Sequence, residues 1–353
     1  MFSKSPRRLA GFLAVAAIAA GALSGCAAAS APTNDGVAPS LTLGYFDNVT
    51  HAPALVGIHE NLFAEALGET AFATQIFNAG PAAIEALSAG AIDAAYIGPS
   101  PAINSYLKSS GESLVVVSGA TAGGAALVVR DGINSAKDLR GATLATPQLG
   151  NTQDVALRSW LADEGYITNL DGTGDVAISP SENSDTLTLF KQGSIDGAWV
   201  PEPWASRLVL EAGGHVLVNE ADLWSEGEFP TTLLVVSKSY FDQYGGTVAA
   251  LVAANVSSIQ WINDNPADAP TAINDVLMAD TGKTLKPEVL DSALANVSFT
   301  WNPVSEALQT LLDHAVALDI VKTGSLTGLV QLGYLNAHLK DLGLPKVSDG
   351  GLG

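Results

Sequence analysis

The chain has 353 residues, 47% of them hydrophobic and 15% charged, with 36 acidic against 16 basic side chains and a formal net charge of −20. A surface this acidic, with no basic cluster to offset it, excludes nucleic acid as a partner and argues against adhesion to anionic lipid. A single cysteine excludes an internal disulfide and a cysteine-based metal site, and the length suits one or two domains around a sizeable core.

Lys4, Arg7 and Arg8 precede an apolar stretch from Leu9 to Leu23, which runs into Ser24-Gly25-Cys26. A charged start, a short apolar stretch and small residues make a secretory signal, and this one is too short and too rich in Ala and Gly to span a bilayer well. The sole cysteine directly after Leu-Ser-Gly resembles the lipobox of bacterial lipoproteins, whose cysteine sulfur takes a lipid and becomes the new N-terminus. Residues 1–25 then read as signal peptide and Cys26 as the lipidation site. Cleavage removes three basic residues and no acids, so the mature net charge is −23. Residues 26–40 are small, polar and proline-containing, the composition of a tether. After residue 40 no apolar run reads as long enough to cross a membrane.

From Leu41 the pattern alternates between strand and helix. Leu41 to Phe46 reads as a strand, Pro53 to Leu67 as a helix closed by Gly68, and Ala73 to Phe77 as β-like. Gly80-Pro81 opens a helix to Ala89, Asp93 to Ile97 is a strand, and Pro101 starts the next helix. Leu114 to Ser118 and Ala125 to Val129 are strands. The pattern restarts with a helical turn at Ser135 to Leu139, a strand at Ala142 to Thr146, and helices at Thr152 to Glu164 and Ser181 to Gln192. A strand at Ile195 to Val200, a helix at Glu202 to Glu211 and a return strand at Thr232 to Val236 follow. Beyond Lys238 the chain reads as helices: Val248 to Asn263, Ala267 to Met278, Pro287 to Leu294, Ser305 to Leu318 and Leu329 to Leu342. Strands alternating with helices of this length predict an α/β fold with parallel sheet.

One segment echoes another. Gly90-Ala-Ile-Asp-Ala-Ala-Tyr-Ile-Gly-Pro-Ser-Pro-Ala102 parallels Gly193-Ser-Ile-Asp-Gly-Ala-Trp-Val-Pro-Glu-Pro-Trp-Ala205. Each passes through Ile-Asp into an apolar strand and leaves by a proline-bearing loop into a helix. Two related α/β lobes would present these loops at the carboxyl ends of strands, where open α/β sheets bind ligands. Asp93 and Asp196 at the strand entrances read as turn caps, and Tyr96 and Trp199 suit a core as well as a pocket.

Catalytic patterns are absent: no Walker loop, no Gly-x-Ser-x-Gly elbow and no dinucleotide fingerprint. His51, His59, His215, His314 and His338 show no metal spacing. Neither cofactor nor metal is expected, and the chain does not read as an enzyme. What it has is a set of loop-to-helix junctions rich in small polar groups and free of basic side chains. Helix starts offer free N–H groups and the positive end of a dipole, which hold an anion without Lys or Arg. Asn48, Thr50, His51, Gly80, Ser100, Thr121, Asn151, Thr152, Gln153 and Thr231 are the candidate ligand contacts there. Asn151 and Thr152, with Asp154 following, also fit an ordinary helix cap. Trp204, in the first turn of a helix, is a candidate pocket wall beside Tyr45 and Trp301. Glu202 either favours a helix start or faces a ligand ammonium.

The lipobox, Leu43-Gly-Tyr-Phe46, His51-Ala-Pro-Ala54, the Gly90 to Pro101 segment, Ser135-x-Lys-Asp-Leu-Arg-Gly141, Gly150-Asn-Thr-Gln-Asp154 and Glu202-Pro-Trp204 occur in that order. Together they resemble the substrate-binding lipoproteins of ABC importers for aliphatic sulfonates, taurine and nitrate, whose fold the binding proteins for thiamine pyrimidine precursors share. The resemblance implies a type II periplasmic-binding-protein fold: two lobes, each a parallel-rich sheet flanked by helices, with ligand in the cleft between them. Lobe one is expected at 41–130 plus 232–345 and lobe two at 131–231, with crossovers near Val129–Gly132 and Glu228–Leu233. It also implies a monomer on the outer face of the cytoplasmic membrane that delivers an organosulfonate-type anion to an ABC permease. A pyrimidine precursor, nitrate or a ligand-sensing role are the alternatives. Enzymes on this fold that make pyrimidine precursors carry a cysteine-rich motif, which this chain lacks.

Overall fold

The computed structural model describes residues 36–353; the expected signal segment, Cys26 and most of the expected tether lie outside the described residues. The strands are β1 (Ser40–Tyr45), β2 (Ala71–Ile76), β3 (Ala94–Ile97), β4 (Leu114–Gly123), β5 (Ala125–Val129), β6 (Thr143–Thr146), β7 (Ala177–Pro180), β8 (Gly197–Pro201), β9 (His215–Asn219), β10 (Pro230–Ser237) and β11 (Val297–Phe299). The helices are α1 (Ala52–His59), α2 (Leu62–Leu67), α3 (Gly80–Ser88), α4 (Pro99–Lys108), α5 (Thr152–Asp163), α6 (Asn183–Gln192), α7 (Trp204–Ala212), α8 (Lys238–Gln243), α9 (Gly245–Asp264), α10 (Ala269–Thr281), α11 (Pro287–Ala295), α12 (Ser305–Ala317) and α13 (Gly333–Asp341). The expected helix from Pro53 to Leu67 is two, broken where Asn61 takes a φ of 60°.

The strands form two mixed sheets, one ordered β11-β4-β10-β3-β1-β2 and the other β7-β6-β8-β5-β9. Each contains a parallel trio, β2-β1-β3 in the first and β7-β6-β8 in the second. Against each trio run antiparallel strands: β10 beside β3, and β5 beside β8. Because β5 belongs to the second sheet, the chain first crosses at Gly123–Gly124, not at the expected Val129–Gly132. Both glycines take positive φ, 75° and 74°, and a Cβ on Gly124 would lie 2.4 Å from Val297 Cγ1. The turn therefore selects glycine twice over. The chain returns between Asn219 and Pro230 through two short 3-10 turns.

Each sheet supports its own core. The first gathers β-branched residues of β4 and β10 with helices α1, α9 and α12; the second splits around β5 and β8, with Trp199 on one face and Phe190 on the other. Among the described residues α9 alone is long and apolar enough, by length and composition, to cross a bilayer, which corrects the expectation of no such run after residue 40. Its Leu251, Val252, Val256 and Ile259 are fully buried, as befits a core helix.

The sequence echo is a structural equivalence. Asp93 Oδ2 accepts the Thr42 N–H of β1, and Asp196 Oδ2 accepts the Thr143 N–H of β6, both at 2.8 Å. The two aspartates therefore tie the entrance of one strand to its neighbour. Tyr96 and Trp199 are fully buried core residues: Tyr96 donates to Asn255 Oδ1 and Trp199 Nε1 to Glu220 Oε2, each at 2.7 Å.

Glu220 is 1% exposed, and burial pushes its carboxyl up to about 7 from 4.5. The folded state therefore holds this proton more tightly than the unfolded chain, so its contribution to stability is lost as pH rises from about 4.5 through 7. Glu220→Gln should gain roughly 3 kcal/mol relative to the wild type between about pH 5 and pH 8. Urea denaturation at both pH values checks this, and an offset equal at both would refute it.

Candidate functional site

Carboxyl ends of strands from both sheets converge on one cleft. β1 leads into Asn48 and a 3-10 turn at Val49–His51, β3 into Gly98 and α4, β6 into the loop before α5, and β8 into Glu202-Pro203 and α7. Asn48, Gly98 and Asn151 stand at N-cap positions in extended backbone, and neither asparagine side chain caps the turn it begins. Asn151 thus occupies the capping position without performing it. Helix-start N–H groups without an internal partner are the feature that binds anions.

Buried side chains fix these loops. Asp154 and Arg158, 0% and 1% exposed, pair at 3.1 Å one turn apart in α5. Asp154 also accepts the Gly150 N–H and the Thr146 hydroxyl, both at 2.9 Å, which pins the loop at 150–153. On the opposite side the Thr121 hydroxyl donates to Thr50 O at 2.7 Å, so Thr121 braces the turn at 49–51 from behind. His51 stacks on Phe46 with ring centroids 4.3 Å apart, and its Nδ1 accepts the Phe46 N–H at 3.3 Å. Burial pushes the imidazole down to about 3, so the ring is neutral and its proton sits on Nε2 as a donor.

Between these loops lies an inner cavity of about 20 Å³, room for one or two water-sized groups. Asn48, Thr50 and His51 line it from one lobe, and Asn151, Thr152 and Gln153 from the other. Thr231 and Thr232 line it as well, and no Asp, Glu, Lys or Arg side chain does. The Ser100 N–H reaches Thr152 Oγ1 at 3.4 Å across the cleft. The cavity opens on a vestibule of about 600 Å³ that shares Phe46, Asn48, Asn78 and Asn183 with it and adds Asp47, Phe77 and Trp204.

The remaining expected residues fall into three groups. Trp204 lines the vestibule; its Nε1 donates to Asn48 Oδ1 at 2.8 Å and its ring lies 4.7 Å beneath the Arg207 guanidinium. Thr231 lines the cavity, but its hydroxyl donates to Gly123 O. Ser100 is buried just beyond Gly98, with Oγ unpartnered. Glu202 does not face the inner cavity. Its carboxylate accepts from Ser206 N at 3.1 Å, Ser206 Oγ at 3.0 Å and Asn296 Nδ2 at 2.7 Å, which ties α7 to the residue after α11. Burial raises its pKa. Gly80 is not among the residues lining either compartment, and a Cβ there would lie 2.4 Å from Pro101 Cγ. Tyr45 and Trp301 line neither compartment, and the Tyr45 hydroxyl donates to Asp280 Oδ2 at 2.6 Å.

Sequence reasoning missed Phe46, Asn183 and Thr232 in the inner cavity, and Asp47 in the vestibule. Asn183 opens α6, a helix expected from Ser181, but β7 before it is an edge strand without a β signature, so its loop was not placed at a strand end. Phe46 and Asp47 directly precede Asn48, and position at the end of a predicted strand was the available signal. Burial and the nearby Asp280 carboxylate push the Asp47 carboxyl up to about 7.

The model of the NMT1-like family matches residues 35–276, well over half of the chain. The chain belongs to the NMT1-like family. A relative of this NMT1-like protein, the putative aliphatic sulfonates-binding protein of Escherichia coli (strain K12), is 26% identical over 181 residues, which cover 50% of this chain and 53% of the relative. The chain spans about half the length of the curated relatives it matches. Among solved structures, the alkanesulfonate-binding protein SsuA from Xanthomonas axonopodis pv. citri, bound to MOPS, matches with a TM-score of 0.67 and 21% identity, over 81% of this chain and 95% of that one. The periplasmic nitrate-binding protein NrtA from Synechocystis PCC 6803 matches with a TM-score of 0.75 and 15% identity, over 87% and 90%. The NMT1-like chain therefore has the periplasmic-binding-protein fold, and these relatives are binding proteins rather than enzymes.

Proposed function

We propose that this NMT1-like protein is the substrate-binding component of an ABC importer, and that it holds a small organosulfonate-type anion in the cleft between its lobes. It hands the ligand to a membrane permease unchanged. The observation that carries this reading is the uncharged inner cavity in which helix starts from both lobes meet, lined by Asn48, Thr50, His51, Asn151, Thr152 and Gln153. Backbone N–H groups and helix dipoles stabilise an anion there, and no lining carboxylate opposes it. The relatives that bind alkanesulfonate and nitrate lend support. A vestibule of about 600 Å³ favours a ligand with an organic body over bare nitrate.

The same uncharged lining, with Phe46, Phe77 and Trp204 in the vestibule, favours a second reading, a neutral heterocycle such as a thiamine pyrimidine precursor. A thermal-shift screen of sulfonates, nitrate, phosphonates and pyrimidines on the purified protein separates the two. A sulfonate that raises the melting temperature supports the first. A response to pyrimidines alone overturns it.

The membrane anchor is part of the same proposal. Cys26 follows Leu-Ser-Gly as the sole cysteine. Mass spectrometry of the membrane fraction should find it lipidated, and Cys26→Ser should leave the protein unprocessed or released. An unmodified Cys26 in the wild-type membrane fraction would remove the anchor and leave the binding reading intact.

A further inference from the structure

The cleft has two polarities. The inner cavity offers donors: helix-start N–H groups, the His51 Nε2–H and the Thr152 hydroxyl. The vestibule wall beside it offers acceptors that nothing in the protein satisfies. Asn183 is 93% buried, lines both compartments, and its Oδ1 has no hydrogen-bond partner. Asp47 lines the vestibule next to Asn48, and its buried Oδ1 is also unpartnered. An amide oxygen accepts and does not donate, so Asn183 Oδ1 needs a donor from outside the chain, while the Asp47 carboxyl, hydrogen-bonded to Asp280, shares a proton with it until a cation takes that place.

Three cations line the vestibule, Lys191, Arg207 and Lys283, and the first two are engaged by a carboxylate. Arg207 pairs with Glu211 at 3.3 Å while covering Trp204, and Lys191 pairs with the same Glu211 at 3.6 Å. The Asp280 carboxylate near Asp47 is held by the Tyr45 hydroxyl at 2.6 Å and adds negative charge to that wall. Glu202, the carboxylate that sequence reasoning considered for a ligand ammonium, is occupied by Ser206 and Asn296 away from this wall.

We propose that Asp47 and Asn183 form an ammonium subsite, and that the ligand of this cleft is an amino-bearing anion, its acid end at the Gly150–Gln153 helix start and its protonated amine in the vestibule. The proposal rests on the anion-binding reading of the inner cavity and names the other end of the molecule. The ammonium donates to Asp47 Oδ1 and Asn183 Oδ1, which satisfies two buried acceptors and places positive charge against the Asp47–Asp280 wall. A plain anion of the same length leaves both acceptors unmet and carries no charge to offset that wall. Asp47 thereby selects among sulfonates, while the helix start selects the sulfonate group.

Titration calorimetry with propanesulfonate and aminopropanesulfonate on the purified protein tests this. The amino form should bind the wild type at least about tenfold more tightly, the scale of one hydrogen bond to a charged group. Asp47→Asn should bring the two to near parity, mainly by weakening the amino form, with propanesulfonate unchanged or slightly tighter. Equal affinity for both in the wild type overturns the subsite and leaves the anion site standing, and it needs no variant. An Asp47→Asn variant that weakens both ligands equally overturns it too, since that marks a structural role for Asp47. If neither sulfonate binds the wild type, the anion-binding reading fails and the subsite falls with it.

Discussion

Thr152→Asp should all but abolish ligand binding while leaving the fold intact. Thr152 is the first residue of α5, lines the inner cavity and is 1% exposed. An aspartate in the first turn of a helix favours the helix through its dipole, so stability should hold or rise slightly. The same carboxylate stands where the anion is held, and two like charges a few ångströms apart in a water-poor cavity repel strongly. Thr152→Ala removes only one hydrogen bond and should weaken binding about tenfold. Calorimetry with the best screened ligand reads both. Wild-type affinity in Thr152→Asp would take this loop out of the site and favour a neutral ligand held elsewhere in the cleft.

Gly98→Ala should lower affinity by about tenfold to a hundredfold without destabilising the unliganded protein, because the added methyl opposes only the closed form. Gly98 has φ −70° and ψ 156°, ordinary extended backbone that alanine adopts freely. A Cβ there would lie 2.3 Å from Thr152 Oγ1 on the opposite lobe, while its next neighbour outside that side chain, Thr231 O, is a comfortable 3.6 Å away. With the lobes apart the methyl has room, so the melting temperature without ligand should match the wild type. The loss should vanish in Gly98→Ala combined with Thr152→Ala once the weaker affinity of the single Thr152→Ala variant is allowed for. Unchanged affinity in Gly98→Ala would show that ligand is held without this approach of the lobes.

The architecture was legible because the central strands of both sheets are buried on both faces. Ala94–Ile97 and Gly197–Pro201 are buried throughout, and such runs announce themselves as apolar blocks between helix patterns. Of the four edge strands only β2 was legible. β9 is half-exposed along its length, β7 ends in proline, and β11 is three residues long, so none carries an apolar block or a clean alternation. The first crossover was misplaced because Ala125–Val129 reads as a strand equally well in either sheet, and only its pairing with β8 and β9 assigns it. In the cleft, loops that follow recognised strands yielded Asn48, His51 and Thr152, whereas Asn183 follows the unrecognised β7. Glu202 misled for a different reason: its position beside the cleft is visible in the sequence, but the direction of its side chain depends on Asn296, far along the chain.

The two crossings also bear on how such a molecule can move. β4 and β10, which carry the chain out of and back into the first sheet, are hydrogen-bonded neighbours, and so are β5 and β9, which receive and release it in the second. The connections therefore lie side by side like the two leaves of a door hinge. Two connections so placed favour a swing about one line over a twist or a slide. On the import role proposed above, occupancy of the cleft would reach a membrane partner as a single angle between the two sheets, a coarse signal that needs no contact with the ligand.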